Sequence, residues 1–202
     1  MNIKQVKELV LQSLEHELGG VKVYDTALEC AVNQDLKKEW QEYLEQTKTH
    51  VSALESLCSV LGLDPKQETP GRGVVRHVGA ALVEAMKLAS SAGDPAAAEL
   101  VACECVVLAE TKDHADWQLL SKCPEHLDGP VAAAFKAACS TIEDQEDEHL
   151  YHTRGWCREL WVQALGLPAV LPPPEEQRQV KTAIGAARAE QFGEKLRMQS
   201  ER

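Results

Sequence analysis

Apolar residues recur at three- and four-residue intervals along most of this chain, and the periodic runs break at glycine and proline. The pattern predicts helices over about residues 3 to 32, 34 to 62, 74 to 91, 95 to 122 and 128 to 165. Stops fall at Gly62 with Pro65, Pro70-Gly71, Gly93 with Pro95, Gly129-Pro130 and Gly166 with Pro168. Only "NQDLKK" separates the first two long helices, and "CPEHLDGP" separates the last two, so each pair reads as an antiparallel hairpin. A longer crossover carries its own helix, "VVRHVGAALVEAMKLA". Two hairpins joined by one long crossover make a four-helix bundle that is not the simple up-down kind. Residues 1 to 167 form this single domain. Residues 168 to 202 are a Pro-rich linker, "LPAVLPPPEEQ", and a C-terminal helix or tail. The weak apolar stripe Val180, Ile184, Ala187 leaves three fates open for that tail: docking on the bundle, packing on another subunit, or staying mobile.

Composition strengthens the all-α reading, because β-branched and aromatic residues are scarce beside Ala, Leu, Glu, Gln and Lys. The formal charge of -11, with no basic patch before the Pro-rich stretch, excludes phosphate backbones and anionic lipid as partners. The N-terminal "MNIKQVKELVLQSLEHEL" has neither the apolar block of a signal peptide nor a membrane span, so a cytoplasmic protein is expected. Seven cysteines are odd in number, scattered and without a C-x-x-C pair, which reads as reduced thiols serving as small core residues.

Residues seven apart on a helix lie almost on one line, so each bundle helix should show two inward lines. In the first helix these are Val10, Glu17, Tyr24, Ala31 and Leu14, Val21, Leu28, whose one charge is Glu17. In the second they are Leu36, Tyr43, His50, Leu57 and Trp40, Thr47, Leu54, Leu61, interrupted by His50 and Thr47. Over 95 to 122 they are Ala96, Cys103, Glu110, Trp117 and Leu100, Val107, His114, which turns Glu110 and His114 inward. In the last helix they are Ala132, Cys139, Glu146, Thr153, Leu160 and Phe135, Ile142, His149, Trp156. Glu146 and His149 therefore point inward out of the acidic run "EDQEDEHLYH", while Glu143, Asp144, Asp147, Glu148 and His152 read as solvated. His16, His77 and His126 show no partner pattern.

Glu17, His50, Glu110, Glu146 and His149 all fall near the middles of their helices, so antiparallel packing brings them to one level of the core. Buried unpaired carboxylates cost about several kcal/mol each, and a divalent metal pair offsets that cost. A di-iron carboxylate site takes a Glu from each of two helices and a Glu-x-x-His from each of the other two. Here Glu17, Glu110 and a complete Glu146-x-x-His149 are present. The second helix reads Thr47-x-x-His50, so one bridging carboxylate is missing. The first helix and the 95 to 122 helix also repeat each other, each with a Glu followed seven residues later by a large aromatic, Tyr24 or Trp117. His114 is a candidate replacement ligand or supporting contact.

The stretches "HELGGVKVY", "EQTKTHVSALESLCSVLGLDP" and "EDEHLYH" resemble the ferritin-like superfamily, especially its bacterioferritin and rubrerythrin branch and the small bacterial stress-associated ferritin-like domains. The resemblance covers about residues 3 to 165. It implies a bundle with a di-iron or mixed-metal centre that reduces dioxygen or peroxide, often while oxidising ferrous iron. Its metal ligands would be Glu17, His50, Glu110, Glu146 and His149, holding iron, with manganese or zinc as alternatives, in a homo-oligomer, most simply a dimer. Tyr24 would neighbour the site as a hydrogen-bonding or redox group. Two functions remain open: a metalloprotein handling iron, dioxygen or peroxide, and a non-catalytic stress or interaction bundle. The intact Glu17, Glu110, Glu146, His149 set favours the first, and Thr47 favours the second.

Overall fold

A computed structural model describes residues 1 to 175, and the expected C-terminal helix or tail beyond them lies outside the described residues. Five α-helices follow in order: α1 Ile3–Cys30, α2 Gln34–Val60, α3 Pro70–Ser91, α4 Pro95–Leu120 and α5 Gly129–Ala164. A short 3-10 turn, Cys123–His126, bridges α4 and α5, and no strand occurs among the described residues. None of the described helices is long and apolar enough to cross a membrane.

Local chemistry sets the ends of these helices. The side chains of Asn2, Asn33, Thr69 and Asp94 each accept a backbone N–H in the first turn of α1, α2, α3 and α4. Proline opens α3 and α4, where its missing N–H costs nothing. Thr69 and Pro70 start α3 one turn earlier than the apolar pattern alone predicts. Gly62 (φ 63°) and Gly93 (φ 83°) reverse the chain after α2 and α3 in a left-handed conformation that a side chain would strain. The tight α1–α2 turn is held from α4, where Glu99 accepts the N–H of Val32 at 2.7 Å and of Asn33 at 2.6 Å.

The two hairpins, α1–α2 and α4–α5, pack so that α1 meets α4 and α2 meets α5, closing a ring of four helices. The crossover helix α3 lies outside that ring, against α1 and α4. Its approach to α1 is close: a Cβ added to Gly79 would stand 3.7 Å from the Cα of Gly19. Where α3 begins, Arg72 is buried and donates to Glu15 Oε2 at 2.7 and 3.0 Å, to the Pro65 carbonyl at 2.6 Å and to the Gln67 carbonyl at 2.9 Å.

The apolar core falls into two blocks. One gathers Val6, Val10, Leu14, Leu54, Leu57, Trp117, Leu120, Phe135 and Ile142. The other gathers Val23, Ala27, Leu36, Trp40, Met86, Ala102, Val106 and Trp156. Mid-helix polar residues lie buried alongside both: Glu17, Thr47, His50, Glu110, Asp113, Glu146 and His149.

Candidate metal centre

The structure brings all five residues singled out in the sequence into one layer, and each is at most 3 % exposed. Glu17 comes from α1, His50 from α2, Glu110 from α4, and Glu146 and His149 from α5. They form two overlapping groups, Glu17–His50–Glu146 and Glu110–Glu146–His149, in each of which one potential ligand atom per residue lies within 4.8 Å of the others. Glu146 belongs to both.

Distances within the groups match a shared ion. His50 Nδ1 lies 3.2 Å from Glu17 Oε1 and 3.1 Å from Glu146 Oε1. His149 Nδ1 lies 3.5 Å from both Glu110 Oε2 and Glu146 Oε1. Two donors bound to one ion at about 2.1 Å stand roughly 3.0 Å apart at a right angle and roughly 3.4 Å apart at the tetrahedral angle. Both Nδ1 atoms, Glu17 Oε2, Glu110 Oε2 and both oxygens of Glu146 are buried without a hydrogen-bond partner. The two Nδ1 atoms face these carboxylates at 3.1–3.5 Å, and a cation between them could satisfy such a set.

The far side of each ring fixes which nitrogen faces the site. His50 Nε2 sits 2.9 Å from Gln145 Oε1, and His149 Nε2 sits 2.7 Å from Gln46 Oε1. An amide oxygen only accepts, so Nε2 carries a proton, and whenever the ring is neutral Nδ1 presents a lone pair. The arrangement is reciprocal: each of α2 and α5 carries Gln at one position and His four residues on, and each Gln orients the other helix's His. This signal stands in the sequence as "QTKTH" and "QEDEH", yet inward lines of seven-residue steps pass it by. The α1/α4 repeat is also structural, since Trp117 Nε1 donates to Glu17 Oε1 at 2.8 Å. Tyr24 is buried, and its hydroxyl helps to lower the pKa of the Glu110 carboxyl.

Electrostatics shows what the layer lacks. Burial pushes the Glu146 carboxyl well above the usual range, and Glu110 and Glu17 push it further. Burial also raises Asp113, with Glu146 and Glu17 adding to the rise. For Glu110 burial acts the same way, but His149 and Tyr24 outweigh it and bring the group below its ordinary value. Burial opposes charge on His50, and Glu17 overcomes it, so the ring holds its proton more firmly than usual. Among the described residues every ion-pair partner of these carboxylates is a histidine, with no Lys or Arg among them.

Three expectations need correction. The second inward line of α4 is Glu99, Val106, Asp113, Leu120, all buried, whereas Leu100 and Val107 are only partly buried. Two acids make that line look solvated in the sequence, which is why Asp113 was missed. His114 sits at the edge of the bundle, its Nε2 2.6 Å from Asp147 Oδ1, and is neither a ligand nor a contact of the layer. His152 is not solvated, since its side chain is 14 % exposed. Its Nδ1 lies 2.6 Å from Glu39 Oε1 and 2.7 Å from the Tyr43 hydroxyl, and Trp156 Nε1 donates to Glu39 Oε2 at 2.6 Å. The Tyr43 ring in turn stacks 4.2 Å from the His149 ring, so this cluster buttresses the layer from one side.

The cysteines are as expected: all seven are free and six are buried. Burial pushes Cys105 and Cys157 up to about 11, so neither supplies a thiolate near neutrality.

Compared with known proteins, the chain matches no family model, no curated protein and no solved structure.

Proposed function

We propose that this protein is a ferritin-like metalloprotein whose bundle core holds divalent transition metal, iron foremost and manganese or zinc as alternatives, and uses it to handle dioxygen or peroxide. The observation that carries the reading is the set of buried, unpartnered lone pairs from two histidines and three glutamates at ligand-to-ligand distances. Imidazole and carboxylate together suit first-row divalent ions. When bound, such a metal supplies the redox chemistry.

The chain's own residues do the rest. Gln145 and Gln46 hold the ring tautomers that present Nδ1 inward. Trp117 fixes Glu17 Oε1, the oxygen 3.2 Å from His50 Nδ1, while Oε2 is buried without a hydrogen-bond partner. Glu146, shared by both groups, holds the two positions together. A cleft of about 190 Å³ between α1, α3 and α4 is lined mostly by apolar residues, among them Gly19, Gly20, Val78, Gly79 and Ala109, together with His16 and Lys112. A cytoplasmic homo-oligomer, most simply a dimer, completes the reading.

Anaerobic loading with ferrous iron followed by exposure to air tests it. Dioxygen consumption in proportion to bound iron, abolished by Glu110→Ala, is expected. Bound metal with no consumption of dioxygen or peroxide would favour the second reading, a non-catalytic stress or interaction bundle. The specific observation on that side is Thr47, buried where the resemblance calls for a carboxylate.

A further inference from the structure

The two imidazoles of the layer differ in what backs them. His50 meets Trp117, whose ring centre is 5.8 Å away and whose plane stands at 69° to it. His149 meets Tyr43 at only 4.2 Å between ring centres with a tilt of 36°, so phenol and imidazole lie closer to face-to-face. Tyr24 touches the same imidazole edge-on at 6.2 Å. Tyr43 comes from α2, on the inward line that leads to His50, and is buried.

Apolar packing alone does not put Tyr43 there. Its hydroxyl donates at 2.7 Å to Oε1 of Glu39, one turn earlier on α2. From α5, Trp156 donates to Glu39 Oε2 at 2.6 Å, and His152 Nδ1 lies 2.6 Å from Oε1. Burial acts to raise the Glu39 carboxyl, but His152, Trp156 and Tyr43 together outweigh it and bring the group below its ordinary value. An ionised carboxylate makes the stronger kind of hydrogen bond, so Glu39 is a firm anchor for the phenol. The chain of contacts from Glu39 through Tyr43 ends at His149, whose Nδ1 is 3.5 Å from both Glu110 and Glu146. Gln46 holds the opposite nitrogen at 2.7 Å. A single hydrogen bond fixes one point of the ring, and the Tyr43 face restricts rotation about that point.

We propose that Tyr43, anchored by Glu39, is a positioning residue for His149 and strengthens cation binding by Glu110, Glu146 and His149, but not by Glu17, His50 and Glu146. The proposal rests on the metal-binding reading above. An imidazole bound to a divalent ion takes up part of its positive charge, and the electron-rich face of a phenol attracts such a ring. The hydrogen bond to an anionic Glu39 enriches that face further. On the His50 side Trp117 instead donates to Glu17 and stands across the imidazole.

The test is cobalt(II) titration of the full chain, read by metal per chain and by visible absorption. Of about two ions expected in the unaltered protein, Tyr43→Leu should weaken one about tenfold and shift its cobalt bands, leaving the other within about twofold. Tyr43→Phe and Glu39→Gln, which keep size and shape, should each fall between Tyr43→Leu and the unaltered protein. Added to His50→Ala, where Glu110, Glu146 and His149 remain, all three changes should still weaken cobalt; added to His149→Ala, none should. Circular dichroism and urea midpoints accompany each titration, and if Tyr43→Leu fails to fold, the two size-matched variants decide. A lowered midpoint with unchanged affinity and unchanged bands, or equal weakening in both backgrounds, would overturn the inference while leaving the metal centre standing. No cobalt in the unaltered protein would remove both.

Discussion

Glu15 and Glu17 stand two residues apart on α1, both buried, and their surroundings differ in kind. Glu15 meets Arg72 and Arg76, each with two hydrogen bonds to its carboxylate. Arg76 foremost, and Arg72 with it, hold its carboxyl below the usual range against the opposing effect of burial. The positive charge is built into the chain, and what results is a clasp that fixes the crossover helix to the bundle. Around Glu17 the other buried carboxylates are Glu110, Asp113 and Glu146, and the ion-pair partners are imidazoles. Natural cores rarely leave so many polar atoms unpartnered in one place, and the Glu and His groups of the second cluster could hold a metal ion.

The sharpest way to break the comparison is to remove the internal cation from the first cluster. Arg72→Ala leaves Glu15 with Arg76 alone and strands two backbone carbonyls, and should cost about 1–3 kcal/mol in urea unfolding for each carbonyl left without a donor. In the second cluster the corresponding loss should be absent. Glu146→Gln should leave the metal-free protein about as stable as before, because burial already holds this carboxyl well above its usual range and the amide matches the protonated acid in size. What it should abolish is the gain from metal, about 2.7 kcal/mol at a concentration one hundred times the dissociation constant, read as the rise in midpoint on adding cobalt(II) or manganese(II).

A smaller effect separates support from ligation. Gln46→Ala and Gln145→Ala free the imidazole tautomers without touching a ligand, and each should weaken metal binding by about 10–100-fold in an equilibrium titration. A change in stability without a change in affinity would reduce both glutamines to packing. The smallest effect is in pH. The Glu15 carboxyl lies below its unfolded value of 4.5, so its contribution is fully present above that pH and is lost as pH falls through the lower folded value. Glu15→Gln should therefore flatten the acid limb of a stability-versus-pH curve below about 4.5, with little change in slope near neutrality.

How far the sequence carried depends on which helix is considered. In α2 and α5 the inward lines are mostly apolar apart from the site residues, so His50, Glu146 and His149 stand out, and the structure buries all three in the layer. In α4 the line through Glu99, Val106, Asp113 and Leu120 alternates acid with apolar residues. Seven-residue spacing alone favours its neighbour, Leu100, Val107 and His114, one residue around the helix. The choice turned on surroundings that spacing does not reveal: two backbone N–H groups meet Glu99, and Asp113 is buried where Glu146, Glu17 and Glu110 raise its pKa further. Neither partner is adjacent in sequence. The same limit hid the Glu39, Tyr43, His152 and Trp156 cluster, which is assembled across α2 and α5. The Arg72 clasp was illegible for a further reason, since its acceptors come from α1 and from the loop before α3.

The most direct measurement is metal content per chain on protein purified without added metal or chelator. About two divalent ions, lost together with the metal-dependent rise in midpoint in Glu146→Gln, is the expected result. No bound metal, and none taken up from excess iron, manganese, cobalt or zinc, would contradict it and leave the layer as a store of buried protons.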